Sequence, residues 1–146
     1  MAATANSWYP YSGKWKIVWL PAKISTLLSN NVLVDLTSGF VVEASTNTGQ
    51  TDQPLIGIHI GGTRASSVAD TAFVPILVPG EPGALAQGLI DTGTPSATAD
   101  IGKSFDISAT GGVTFSTSTN EPVTFFKYIS ATQGLFVLTS YSAPAA

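Results

Sequence analysis

The residues with the clearest chemical potential are Asp91 and its neighbours in the run Leu89-Ile90-Asp91-Thr92-Gly93-Thr94. An aspartate among small hydroxyl residues and glycine can share a proton with a second carboxylate and so activate a water molecule. That chemistry requires a second aspartate loop or a symmetric dimer. The same residue types also open polar turns at strand ends, where Asp and Thr bond locally and Gly takes positive φ, and this is the reading favoured for Asp91. The one histidine, His59, excludes any site needing two imidazoles from this chain, and the absence of cysteine excludes thiol catalysis and cysteine zinc sites. Gly57, Gly61 and Gly62 match neither Gly-x-Gly-x-x-Gly opening a helix nor a Walker loop, and no Gly-x-Ser-x-Gly elbow occurs. His59 alternates with Ile58 and Ile60, which assigns it to the polar face of a strand. No catalysis, metal, cofactor or small-molecule substrate is expected.

The unusual chemistry lies at the N-terminus. Trp8, Tyr9, Tyr11, Trp15 and Trp19 include all 3 tryptophans of the chain, and they interleave with Lys14, Lys16 and Lys23. Aromatic and basic residues in alternation can stack on nucleobases, but three lysines without arginine, attached to an acidic body, argue against nucleic acid. Two readings stand. Trp15, Ile17 and Trp19 alternate and could face a core; or the segment is an arm that docks on another subunit, since Trp and Tyr dominate interface hot spots.

The elements that must position these residues are strands. Gly (14) and Pro (9) with frequent Thr, Val and Ser leave few windows of helical periodicity. Strands are expected at 14–20, 31–36, 39–43, 55–60, 73–78, 84–90, 104–108, 113–116, 123–129 and 135–139, with Pro75 demoting its strand to an edge or an irregular one. Single helical turns are possible only at 24–28 and 98–102. Pro54 to Ile60 with 73–78, and Pro122 to Ile129 with 135–138, echo one another as loop-separated hairpins, which fits either a pseudo-duplicated barrel or a chance likeness between β patterns.

Composition agrees. The 146 residues carry only 10% charged side chains, against about 25% on average, so Ser, Thr, Asn, Gln and Gly must cover much of the surface. The net charge of −3 is uneven: residues 1–34 hold Lys14, Lys16 and Lys23 and no acid. The opening residues do not read as a signal peptide, and no stretch reads as a membrane-spanning helix, so a soluble, cytoplasm-made chain is expected. The fold class is all-β, a compact antiparallel barrel or sandwich with little helix: an aromatic and basic arm over residues 1–23 and one barrel-like domain over 24–146.

The hairpin Val34-Asp35-Leu36-Thr37-Ser38-Gly39-Phe40-Val41-Val42, then Pro54-Leu55-Ile56-Gly57-Ile58, residues 73–78, Ala99-Asp100-Ile101-Gly102-Lys103-Ser104-Phe105-Asp106-Ile107 and the closing hairpin over 124–138 are similar to head-decoration, capsid-cementing proteins of tailed bacteriophages. That resemblance implies a non-enzymatic virion protein made in the host cytoplasm, a homotrimer on the capsid exterior, with the major capsid protein as partner and no nucleic acid or membrane. It also implies capsid binding through Trp8, Tyr9, Tyr11, Lys14, Trp15, Lys16, Trp19 and Lys23. A tail or fibre-associated structural protein is the runner-up. The Asp91 run also resembles the active-site loop of aspartic proteases, but about ninety residues precede it, and Gly134 precedes Leu135-Phe136 where that family places glycine after an apolar pair. On the docking reading, Trp15→Ala with Trp19→Ala is expected to abolish particle binding and leave the body folded, measured as occupancy on shells.

Overall fold

The computed structural model describes residues 7–50 and 52–139. It is all-β, with no helix among the described residues. Eleven strands run β1 (Tyr9–Ser12), β2 (Trp15–Pro21), β3 (Val32–Thr37), β4 (Phe40–Glu43), β5 (Leu55–His59), β6 (Phe73–Pro79), β7 (Leu85–Thr92), β8 (Ser104–Ile107), β9 (Val113–Thr114), β10 (Val123–Ser130) and β11 (Gln133–Leu138). Neither expected helical turn forms: 24–25 is a turn leading to a Leu28–Arg64 bridge and 98–102 is a turn, because neither segment carries enough helix-forming residues to repay a nucleus.

Strand order shows the organisation. The first sheet runs β2-β6-β5-β3-β4, and the second runs β7-β11-β10-β8-β9 with β1 added beside β7. Adding five to each label of the first sheet gives the second, so the two halves share one topology. Both close in the same sense. A parallel β7–β9 pairing closes the second half into a barrel, while a parallel bridge between Ala22 and Val41 and the Lys23 N–H to Val41 carbonyl bond bring β2 against β4 in the first. The echo between the β5/β6 and β10/β11 hairpins thus reflects equivalent places in a repeated scaffold.

Interior packing makes the halves one body. Val32, Val34, Val41, Val74, Ile76 and Val78 fill the first half together with Leu28. Leu33, Leu55 and Ile58 project the other way, into a core shared with Phe105, Phe125, Phe136, Ile90 and Val113 of the second half. Strands β3 and β5 are therefore buried on both faces, as their unbroken apolar stretches require.

Two aspartates at matching places tie down matching loops. Asp35 on β3 accepts hydroxyl bonds from Thr48 (2.5 Å) and Thr37 (2.8 Å); Asp106 on β8 accepts backbone N–H bonds from Thr119 (2.9 Å), Asn120 (2.7 Å) and Glu121 (2.8 Å). The loops meet each other. Asn120 Nδ2 donates to the Thr46 carbonyl (2.8 Å), and Gly49 sits at φ +104° with its α-carbon so close to Asn120 that a Cβ would lie 2.8 Å from the Asn120 carbonyl oxygen. Burial alone pushes both carboxyls up. At Asp35 burial prevails over the Thr48 and Thr37 hydroxyls and holds the group above the usual range, whereas at Asp106 the converging N–H donors prevail and hold it below.

Residues 8–21 belong to both halves and are not an arm standing off a body that starts at 24; residues 1–6 of the expected arm lie outside the described residues. Strand β1 pairs with β7 (Tyr9 with Gln87, Pro10 with Ala86), and β2 pairs with β6 along all seven of its residues. Trp8 is fully buried. Its N–H bonds to the Asn31 carbonyl beside β3 (2.7 Å), and its ring enters the second half between Gly88 and Phe136, with Nε1 donating to the Gly111 carbonyl (3.0 Å). A Cβ at Gly88 would lie 2.4 Å from that ring, so only glycine leaves room for it.

Two further expectations are corrected. Of the edge or irregular strand expected at Pro75, the edge is ruled out: β6 is internal, with its β5 ladder stopping at Ile76. Pro75 accepts the Ile60 N–H, so the donor it lacks points to the β5 side, beyond His59 where β5 has already ended. His59 is buried, not on a polar face. Its Nδ1 donates to the Ser29 carbonyl (2.8 Å) and its own carbonyl accepts the Asn31 N–H, so it braces the loop that holds Trp8.

Trp8→Ala is expected to cost about 3–5 kcal/mol in denaturant unfolding, against under about 0.5 kcal/mol for an exposed arm residue. Burial holds the His59 imidazole below its ordinary value, ahead of the opposing Ser29 carbonyl bond and the Glu43 charge. The unfolded chain therefore takes up this proton first as pH falls. Stability is expected to be full above the unfolded histidine value of about 6.5 and to decline below it, and thermal melts from pH 7.5 to 5 should show a shallower decline in His59→Asn.

Candidate functional site

Strand β2 presents two different faces. Val18 and Leu20 turn inward with Val74, Ile76 and Val78, so they, and not Trp19 or Ile17, are its core residues. The opposite face carries Trp15, Ile17, Trp19 and Pro21, paired across the ladder with Pro79, Leu77, Pro75 and Phe73. One end of that face is covered: Trp15 and Leu77 pack against the shared core, and Trp15 Nε1 donates to the Ser12 carbonyl (3.1 Å). The other end is bare. Ile17 is 55% exposed, Trp19 60% and Phe73 63%, a contiguous apolar surface made by cross-strand neighbours.

The repeated scaffold supplies its own comparison. The equivalent face of β7 and β11 carries no exposed large apolar side chain; Gln87 and Gln133 join there through an amide hydrogen bond (2.8 Å), and Leu135 is buried. The topology therefore tolerates a polar pair at this position. Trp19 and Phe73 are not demanded by folding.

Around this surface the sequence-derived residues divide. Tyr9 and Tyr11 are exposed on β1, and Lys14, Lys16 and Lys23 are exposed in or beside β2. Lys16 and Lys23 each line an open cleft, of about 290 and 320 Å³. Trp8 is structural and Trp15 half-buried, so two of the three tryptophans expected to dock serve mainly the core. Phe73 was not foreseen as a site residue. Its only sequence signal was its place at the start of a strand whose alternate residues, Val74, Ile76 and Val78, already supply the inward face.

Most carboxylates have a local hydrogen-bonding role. Seven of the 9 carboxylates are occupied internally: Asp35 and Asp106 as above, Glu43 by the Ser29 N–H, Glu81 by the Lys14 N–H, Asp70 by Arg64, Asp91 by Ser108 and Thr110, and Asp100 by Lys103 and the Ser96 N–H. Lys14, Lys16, Lys23 and Lys127 have no ion pair among the described residues. Among the described residues only Asp70 and Asp100 are ion-paired; Glu81, bonded to the Lys14 N–H, lines the same cleft as Lys16, so the start of β2 carries both signs of charge.

Asp91 lies at the end of β7, followed by Gly93 at φ +83°, the strand-end turn its residue types suggested. The hydroxyls of Ser108 and Thr110 hold its carboxyl below the usual range, with burial a minor opposing influence. A carboxylate held ionised by two hydroxyls binds the β8–β9 turn to the strand end. The described residues contain no group of three or more His, Cys, Asp or Glu able to hold a metal. Comparison with family models, with curated proteins and with solved structures found no match to this chain.

Trp19→Ser combined with Phe73→Ser is expected to change unfolding stability by under about 1 kcal/mol, because both side chains are already in water. Trp15→Ala, which strips the edge of the shared core, is expected to cost more, and chemical denaturation of the two variants side by side measures the difference.

Proposed function

We propose that the protein is a non-enzymatic structural protein of a tailed-bacteriophage virion, which binds the capsid exterior and cements neighbouring subunits of the major capsid protein. The observation that carries this reading is the bare face of Ile17, Trp19 and Phe73 on a scaffold whose equivalent face is polar or covered. A surface apolar by choice, on a strand followed by the exposed Lys23, has the aromatic and aliphatic composition of an interface core. Its placement on paired strands limits the ordering cost of binding. The homotrimeric state, the assembly on the outer surface and production in the host cytoplasm follow from the resemblance to decoration proteins.

Electron cryomicroscopy of source particles, with quantitative mass spectrometry of the chain per particle, tests the proposal. Hundreds of copies on the shell exterior, with Trp19 and Phe73 against a neighbour, are expected; absence from particles, or a handful of copies at one vertex, would falsify it. Trp19→Ser with Phe73→Ser is expected to lower occupancy at least tenfold at matched concentration while its melting temperature stays within a few degrees.

A further inference from the structure

We infer that the outer half of β10 is a second docking surface, which makes the chain a bivalent bridge between two acidic-rimmed apolar protein surfaces; this rests on the docking reading above. In β10, Val123 and Phe125 are buried, but Phe126, Lys127, Tyr128 and Ile129 are all exposed. Four consecutive exposed residues are not a normal strand pattern, since alternate side chains point to opposite faces. The cause is local. The β10–β11 ladder shifts register between Phe125 and Lys127 and again between Tyr128 and Ser130, and such irregularities re-aim side chains. Ile101, also exposed, precedes Gly102, whose N–H bonds to the Phe125 carbonyl (2.8 Å), so another apolar residue sits at the root of this run.

The counterpart strand again shows that this exposure is not a requirement of the fold. In β5 every residue but Ile56 is buried. Each half therefore has a bare apolar strand surface at a place that the other half covers or makes polar.

The occupant follows from charge. Lys127 lies within the second surface and has no ion pair among the described residues, and the exposed Lys23 follows the strand that carries Ile17 and Trp19. Asp100, beside Ile101, is neutralised by Lys103, and Glu121 precedes β10 at the end away from Lys127, so Lys127 is the unpaired charge among the residues of this run. Each surface thus sets an unpaired lysine, Lys23 or Lys127, beside aromatic and aliphatic side chains, which matches an apolar protein surface edged by Asp and Glu. Neighbouring subunits of one shell offer two copies of such a surface. Engaging both turns the second contact into an intramolecular one and raises avidity by roughly 10²–10⁴.

The test adds purified protein to source particles stripped of it, comparing wild type, Phe126→Ser with Tyr128→Ser, and Lys127→Glu. Copies per particle are titrated after pelleting, and the shell's rupture temperature is followed by light scattering. Bridging predicts that both variants still saturate the shell through the β2/β6 surface, with apparent affinity weaker by roughly 10²-fold, and that they no longer raise the rupture temperature as wild type does. Variants that match wild type in both readouts overturn the second surface and leave the docking reading intact. Wild type that fails to bind stripped particles overturns both. Binding of wild type to phosphatidylserine vesicles or to a single-stranded oligonucleotide, lost on Phe126→Ser with Tyr128→Ser, assigns the β10 surface to another kind of partner and overturns the bridge.

Discussion

Trp8 is the contact on which the arrangement of the two halves depends. Its backbone is held by Asn31 at the edge of the first half and its ring fills the space over Gly88 in the second, so one residue spans both. The shared core of Leu33, Leu55 and Ile58 against Phe105, Phe125 and Phe136 lies around it. Because that core is common to both halves, neither five-stranded unit has its larger apolar face covered without the other. The position of the halves in turn decides which part of the β2/β6 face is covered, at Trp15 and Leu77, and which is left to solvent, at Trp19 and Phe73.

A repeated topology is well suited to a protein whose surfaces must differ while its framework stays constant. Strand order, the parallel closure and a loop-anchoring aspartate recur in both halves. What varies is how the anchor works. Asp106 is charged and served by three backbone N–H groups, whereas Asp35 is more deeply desolvated and served by hydroxyls. The framework is held by short-range polar clasps and a desolvated core, leaving the outer faces of β2, β6 and β10 under little folding constraint.

The same economy accounts for the electrostatics. With few charged residues, the chain places most of its carboxylates where backbone N–H groups, hydroxyls or bases require an acceptor. Two of those carboxylates, Asp35 and Asp106, are buried clasps, while Asp52, Asp70, Asp91 and Glu121 share the outward surface with the lysines.

The sequence by itself determined the all-β class, most strand positions and the turn at Asp91, because these rest on local preferences: alternation, β-branched residues, and Gly, Pro and Asp at turns. It left the β5/β6 and β10/β11 echo open until strand order showed the repeat. It also marked residues 8–23 as chemically distinct, but not how they divide. Alternation groups Trp15, Ile17 and Trp19 on one face; it cannot say that the second half covers only the first of them. Trp8 reads as another exposed aromatic until Gly88, eighty residues away, is brought beneath it. His59 reads as a polar-face residue until β5 is seen to be buried on both sides, and the extra exposure in β10 comes from ladder shifts that no spacing rule encodes. Those decisions belong to the tertiary structure, because each depends on which non-local surface removes a side chain from water.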